Sequence, residues 1–367
     1  MDTKQGAAAP ARHFELDVVK TLAIVFMVCT HIYENLTGIN WVSIPPDGFL
    51  RNLIEFAGGP LAAPVFMTAM GVGMACTRHQ SPEEFMKRGL KLLLGGFVLS
   101  FFRQTVLLLI GQAIDSDYDS LYSPLESILM CDILHFAGLS FLLTGLLKKL
   151  RLTPFWILAV SLAMLAGGGW AGAAVEPTTV PSMLLGFFVF TGRTSGFPLA
   201  LWYVYPAAGM VFAGVLPRAE KKDVLYGKVL CASACVLGLS VRFLLQNGIP
   251  VQNMYMLARE SYYDQDLLHV LFSLSAVLAF LSLAYFAFRG AGPENRLMLL
   301  FRWCGTNLNT IYICQWLLVA YSVAACALLE APPVPLALVI PAGLAVSAAA
   351  MGLCAAWKRI RRGKAAG

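Results

Sequence analysis

Apolar residues in this chain come in long runs separated by short polar stretches, the pattern of a protein whose solvent is a lipid bilayer. About 20 apolar residues cross a ~30 Å hydrocarbon core. Ten runs qualify: Val18–Tyr33, Leu53–Cys76, Leu92–Ala113, Ile128–Leu147, Thr153–Ala174, Phe197–Leu216, Val229–Leu245, Leu267–Phe288, Cys304–Leu329 and Pro335–Trp357. The first and seventh are short and need a turn from their flanks. A further run, Val180–Phe190, has 11 residues. It is too short to span and suits a re-entrant or interfacial piece. Ala166–Gly172 is rich in small residues and reads as a helix-packing surface. The pattern predicts an all-α, polytopic membrane bundle of about ten transmembrane helices. Residues 1–14 read as a cytoplasmic tail, 15–357 as a single transmembrane domain and 358–367 as a basic cytoplasmic tail. Met1–Phe14 lacks the apolar core of a signal peptide.

Composition sharpens this picture. Hydrophobic residues make up 58% of the 367 and charged residues 13%, against about 25% charged in soluble domains. A soluble enzyme, a nucleic-acid binder and a disordered chain are excluded. The net charge of +6 matters through its placement. With the N-terminus in the cytoplasm, all but five of the 27 basic residues fall on inner segments. Arg51, Arg193 and Arg259 fall outside, and Arg103 and Arg242 lie within spans. The outer loops are acidic and aromatic, with Asp115, Asp117, Tyr118, Asp119, Tyr122 and Glu126 in one and Glu260, Tyr262, Tyr263, Asp264 and Asp266 in another. They read as solvated loops with an aromatic belt, or as a rim that recruits a polar acceptor. Nine cysteines show no CxxC spacing, so they read as small buried hydrophobes, the Cys231/Cys235 pair included, with no disulfide framework and no metal site.

Ionisable groups inside spans are functional candidates by default. His31, His135 and His269 fall in the outer halves of spans one, four and eight, which points to one shared polar chamber. On the first span Lys20 and His31 share a helix face about 16 Å apart, with Asp17 about 40° off that stripe. Lys20 by itself also fits a snorkelling side chain at the inner interface. Asp132, one turn before His135, can orient that imidazole. Arg103, mid-span, needs a partner or an anionic ligand. Span nine opens with Gly305, Thr306, Asn307, Asn309, Tyr312 and Gln315, which suits helix-to-helix glue or recognition of an amide-bearing ligand.

Several segments together resemble the heparan-α-glucosaminide N-acetyltransferase-like integral membrane family of bacteria. Phe14–Tyr33 (FELDVVKTLAIVFMVCTHIY) resembles that family's acidic, Asp-x-x-basic opening with a His at its end. Phe66–Gly73, the basic Lys87–Lys91, Ile133–Gly138 (ILHFAG), Phe197–Gly214 and Cys304–Gln315 follow in the family's order. The resemblance covers roughly residues 12–325, and the Lys20-to-His31 spacing is also similar to the Arg-x10-His pattern of the acyltransferase 3 family. Lys20-Thr21 replaces the usual Arg-Gly, and Cys314 stands where the family often has His.

The resemblance implies a membrane acyltransferase. Acetyl-CoA, as co-substrate on the cytoplasmic side, would give its acetyl group to an amino sugar or glycan acceptor outside, in a multi-pass protein of the bacterial inner membrane. His31 is the catalytic candidate, as general base or acetyl carrier, and His135 with Asp132 the second. Lys20 with Asp17 beside it, Arg88 and Arg302 are the candidates for holding the CoA phosphates. Asn307, Asn309 or Arg103 would steady the thioester oxyanion. No metal and no nucleic acid is expected, and the small-residue faces leave a homodimer open. The competing class is a transporter or channel with proton-relay histidines, against which stands the lack of paired half-sequences.

Overall fold

Hydrocarbon offers no partner to a backbone N–H or C=O, so each apolar run must close its hydrogen bonds within a helix. The computed structural model describes residues 13–37, 48–115, 122–172, 180–190, 195–216, 221–256, 262–292 and 294–366. Among these, helices are the only extended elements, with one isolated bridge between Cys131 and Ser195. They run α1 (Phe14–Leu36), α2 (Phe49–Gly58), α3 (Ala63–Cys76), α4 (Pro82–Ser100), α5 (Val106–Ile114), α6 (Pro124–Ile128), α7 (Ile133–Lys149) and α8 (Pro154–Gly172). Then come α9 (Val180–Gly186), α10 (Leu199–Trp202), α11 (Val204–Val215), α12 (Lys222–Gln246), α13 (Leu267–Phe288), α14 (Arg296–Leu328) and α15 (Val339–Ala366).

Seven segments are long and apolar enough to cross a membrane: α1, α2 with α3, α4 with α5, α12, α13, α14, and Leu336–Arg362 at α15. The other three expected spans fall on α7, α8 and α10 with α11. The apolar α8 has 19 residues, and Leu199–Val215 is an apolar stretch of fewer than 18. The 17 residues of α7 extend only about 25 Å at 1.5 Å per residue. The basic segment expected as a tail is helical, since α15 runs on through Ala366.

Two apolar runs that read as continuous are interrupted. Leu53–Cys76 turns at residues 59–62, where Pro60 supplies no N–H and Gly58 lies against Thr30 of α1. Between α4 and α5 the helix widens into a π turn, Phe101–Thr105, which carries Arg103. Val180–Phe190, expected as a re-entrant or interfacial piece, begins as the short α9; the chain after it pairs back, Leu199 N–H donating to the Phe187 carbonyl at 2.9 Å.

Small residues set the closest helix approaches. A Cβ on Gly138 of α7 would meet the Gly89 carbonyl oxygen of α4 at 2.8 Å and the Leu93 amide at 2.7 Å. Gly71 of α3 and Gly209 of α11 likewise lie against the backbones of Pro206 and Thr68. Gly168, in the stretch expected to pack helices, faces Ala200 and Leu201 of α10. Helix α1 is the hub, packed against α2, α3, α13, α14 and α15. Its first turn is pinned by the buried Glu15, whose Oε1 accepts from the Tyr226 hydroxyl at 2.6 Å and lies 3.8 Å from Lys222 Nζ.

Outward faces are apolar, as lipid demands: Leu90, Leu94 and Val98 of α4, Leu239 and Phe243 of α12, and Leu344 and Leu353 of α15 are exposed. Cys231 and Cys235, expected inside, are on the exposed surface of α12, because in lipid an apolar side chain faces outward without penalty. All nine cysteines are free, and the described residues hold no group of three or more His, Cys, Asp or Glu that could bind a metal. Arg51, assigned to an outer loop, is instead buried in α2, 3.7 Å from Glu55. Tyr262, expected in a solvated loop, is buried against Trp202. Asp117, Tyr118, Asp119, Arg193, Arg218, Arg259 and Glu260 lie outside the described residues.

The α4–α7 contact yields a stability test. Gly138→Leu would drive a side chain into the α4 backbone and cost at least about 1–3 kcal/mol. Its unfolding midpoint in detergent is expected to fall by several degrees, whereas Gly95→Leu, with open space around it, stays near wild type.

Candidate functional site

The buried polar centre is assembled from the π turn, the start of α7 and the middle of α14. Asp132 is the N-cap of α7, where Ile133 N–H donates to its Oδ1 at 2.6 Å. Its Oδ2 accepts from Arg103 Nη1 at 2.6 Å and from the Tyr312 hydroxyl at 2.8 Å. Tyr312 in turn accepts from Trp316 Nε1 at 2.7 Å, one turn further along α14. The Arg103 guanidinium carbon lies 4.0 Å from the centre of the Trp316 ring.

His31 joins this cluster from α1. Its ring stacks on Trp316 at 3.6 Å between centres, and its Nδ1 lies 3.2 Å from Gln315 Oε1. An amide oxygen only accepts, so Nδ1 carries the proton and Nε2 of a neutral ring keeps its lone pair.

His135 is placed differently. Its Nδ1 accepts from the backbone N–H of Asp132 at 3.2 Å, so in the neutral ring Nε2 holds the proton. That Nε2 is buried with no hydrogen-bond partner. The ring meets Phe97 and Phe187 edge-on, with centres 4.6 and 5.6 Å away. Asp132 thus reaches His135 through its main chain, and its carboxylate goes to Arg103 and Tyr312 because a buried guanidinium is the costlier group to leave unpaired. His269 takes Asp266 as its partner, Nδ1 to Oδ1 at 2.8 Å. The three histidines expected within spans therefore occupy three local environments.

A cavity of about 380 Å³ opens beside the cluster. Lys20, Arg88, Asn307, Asn309, Tyr312 and Lys358 supply its polar wall. Lys20 is held by Asp17 at 3.1 Å, and the Arg88 guanidinium lies 4.6 Å from the Phe141 ring centre. Tyr312 is the link: it lines the cavity and bonds Asp132. Arg302, by contrast, lines a second cavity of about 340 Å³ with Trp303, Lys358 and Arg362.

Of the residues expected from sequence, Lys20, Arg88, Asn307 and Asn309 thus meet at the first cavity with Asp17 behind Lys20, and Arg103, Asp132 and His31 meet at the polar cluster. Two residues were missed. Trp316 lies four residues after Tyr312, on one helix face, which is the signal that it shares Tyr312's surroundings. Lys358 lay hidden among the basic residues assigned to a tail.

Residues 12–245 match the family model described as heparan-alpha-glucosaminide N-acetyltransferase, catalytic. Searches of curated proteins and of solved structures each returned no match.

Breaking one side of the Arg103–Asp132 pair leaves an uncompensated charge, which costs about 3–5 kcal/mol. Arg103→Leu and Asp132→Leu are each expected to lower the unfolding midpoint in detergent sharply, and the double variant to lose less than the two losses combined. Simple addition of the two losses would show that the groups do not stabilise as a pair.

Proposed function

Because the chain belongs to the heparan-alpha-glucosaminide N-acetyltransferase catalytic family, we propose that it moves an acetyl group from acetyl-CoA to the amine of an amino sugar or glycan across the bacterial inner membrane, with His31 as the base. The observation that carries this reading is the cavity with Lys20, Arg88 and Lys358 in its wall and Tyr312 connecting it to the cluster around His31. Cations draw in an anionic donor such as CoA, and the pantetheine arm is slender enough for such a cavity. The donor enters from the cytoplasm and the acceptor from the opposite side, so the acetyl group crosses while CoA does not.

The chemistry follows from the His31 tautomer. Nε2 takes the proton of the sugar amine as its nitrogen attacks the thioester carbonyl carbon. The C–N bond forms, the C–S bond breaks, and the CoA thiolate leaves to take up a proton. Trp316, fixed by its hydrogen bond to Tyr312 and flanked by Arg103, holds the imidazole flat, and Gln315 fixes which nitrogen is free. His135, edge-on to Phe97 and Phe187, is given a structural role.

Purified protein supplied with acetyl-CoA and glucosamine is expected to release free CoA thiol in an acceptor-dependent manner. His31→Ala should lower the rate about 100- to 10,000-fold, the usual worth of a general base, with folding retained. Gln315→Leu should reduce kcat with little effect on the KM for acetyl-CoA. Full turnover by His31→Ala would remove His31 from the reaction, and a folded wild type that releases no CoA would refute the transferase reading.

A further inference from the structure

Helices α14 and α15 lie beyond the matched residues 12–245, yet between them they build a second basic cavity against the first. Arg302, Trp303, Thr306 and Asn307 of α14 and Lys358 and Arg362 of α15 line it. Thr306, Asn307 and Lys358 line the first cavity as well, so the two share a wall. We propose that this second cavity seats the phosphorylated nucleotide end of the thioester donor, and that the donor's arm passes Asn307 into the first cavity towards Tyr312. The proposal rests on the acetyltransferase reading above and assigns a subsite to it.

Three features of the site agree on this ligand. The first is charge: Arg302, Lys358 and Arg362 line one cavity, and among the described residues no carboxylate lines either cavity. Guanidinium groups pair bidentately with phosphate oxygens, and the CoA head carries a pyrophosphate and a separate 3′-phosphate. The second is the indole of Trp303, a surface on which a purine can stack. The third is Asn307 at the shared wall. It is 5% exposed, its Nδ2 donates to the Trp303 carbonyl at 2.8 Å, and its Oδ1 is buried with no hydrogen-bond partner. A buried acceptor of this kind calls for a hydrogen-bond donor. The pantetheine arm carries two amide N–H groups along its length beyond the phosphates, whereas the donors of a phosphatidylglycerol are the hydroxyls of its headgroup glycerol and its acyl chains carry none.

The test uses the full chain in phosphatidylcholine nanodiscs, with adenosine 3′,5′-bisphosphate as the probe. The wild type is expected to bind it in competition with acetyl-CoA. The double variant Arg302→Ala/Arg362→Ala should weaken that binding at least about tenfold, as lost charged hydrogen bonds do. In turnover, the same variant should narrow the enzyme's preference for acetyl-CoA over acetyl-pantetheine, while Asn307→Leu should raise KM for both donors. Thermal unfolding confirms that each variant is folded. Absence of nucleotide binding by the wild type, or equal binding by the double variant, overturns the assignment. So does displacement of the nucleotide by phosphatidylglycerol added at a physiological fraction, which would make the cavity a lipid headgroup site. The binding arm needs no catalysis. Arginine-dependent nucleotide binding without CoA release would refute the acetyltransferase reading alone, and CoA release without such binding would refute the subsite alone.

Discussion

A guanidinium cannot be left bare in a medium that water does not reach, and the centre of this bundle is organised around that constraint. Arg103 is 5% exposed and sits midway along a membrane-length helix. Its partner Asp132 belongs to a different helix, and the carboxylate's remaining capacity is taken by Tyr312 and by the first amide of α7. One ion pair thereby fixes α4–α5, α7 and α14 relative to one another. Trp316 inherits its place from Tyr312, and His31 inherits its place from Trp316. The imidazole is two contacts removed from the charge that determines its position.

Helix α14 gives the site its length. Trp303 and Asn307 lie at the second cavity, Tyr312 at the end of the first, and Gln315 and Trp316 at His31. Thirteen residues separate Trp303 from Trp316, about 20 Å of helix axis. A single rigid element thus ties the cationic end to the imidazole end, with Trp303 and Asn307 one turn apart at the first and Tyr312 and Trp316 one turn apart at the second. Helices α1 and α15 pack against it and against each other.

The apolar runs were legible because hydropathy and span length are properties of a segment by itself. Arg103's need for a partner was legible for the same reason: the cost of a bare charge in lipid does not depend on the neighbours. Which neighbour answers that need was not legible, since one sequence does not say which helices touch. Asp132 was therefore assigned to His135, one turn away, and not to Arg103, 29 residues away. Lys358 was read as part of a tail because basic residues at a membrane border look alike whether or not they face a cavity. Cys231 and Cys235 were misplaced because lipid rewards an outward apolar residue as much as a core does. The break at Gly59 and Pro60 was visible in residue type, but the hydropathy of the run continued through it.

The π turn at Phe101–Thr105 carries a different kind of information. A wide turn is what remains when one residue too many is accommodated in an α-helix without disturbing the turns on either side. Arg103 owes its direction to that surplus residue. Shortening the segment by one would leave hydropathy and charge almost untouched and keep the helices on either side in place, yet would return the wide turn to an ordinary α turn and re-aim Arg103. Along this stretch the chain encodes geometry by counting residues as much as by choosing them, so a substitution there and a deletion there are changes of unlike kind.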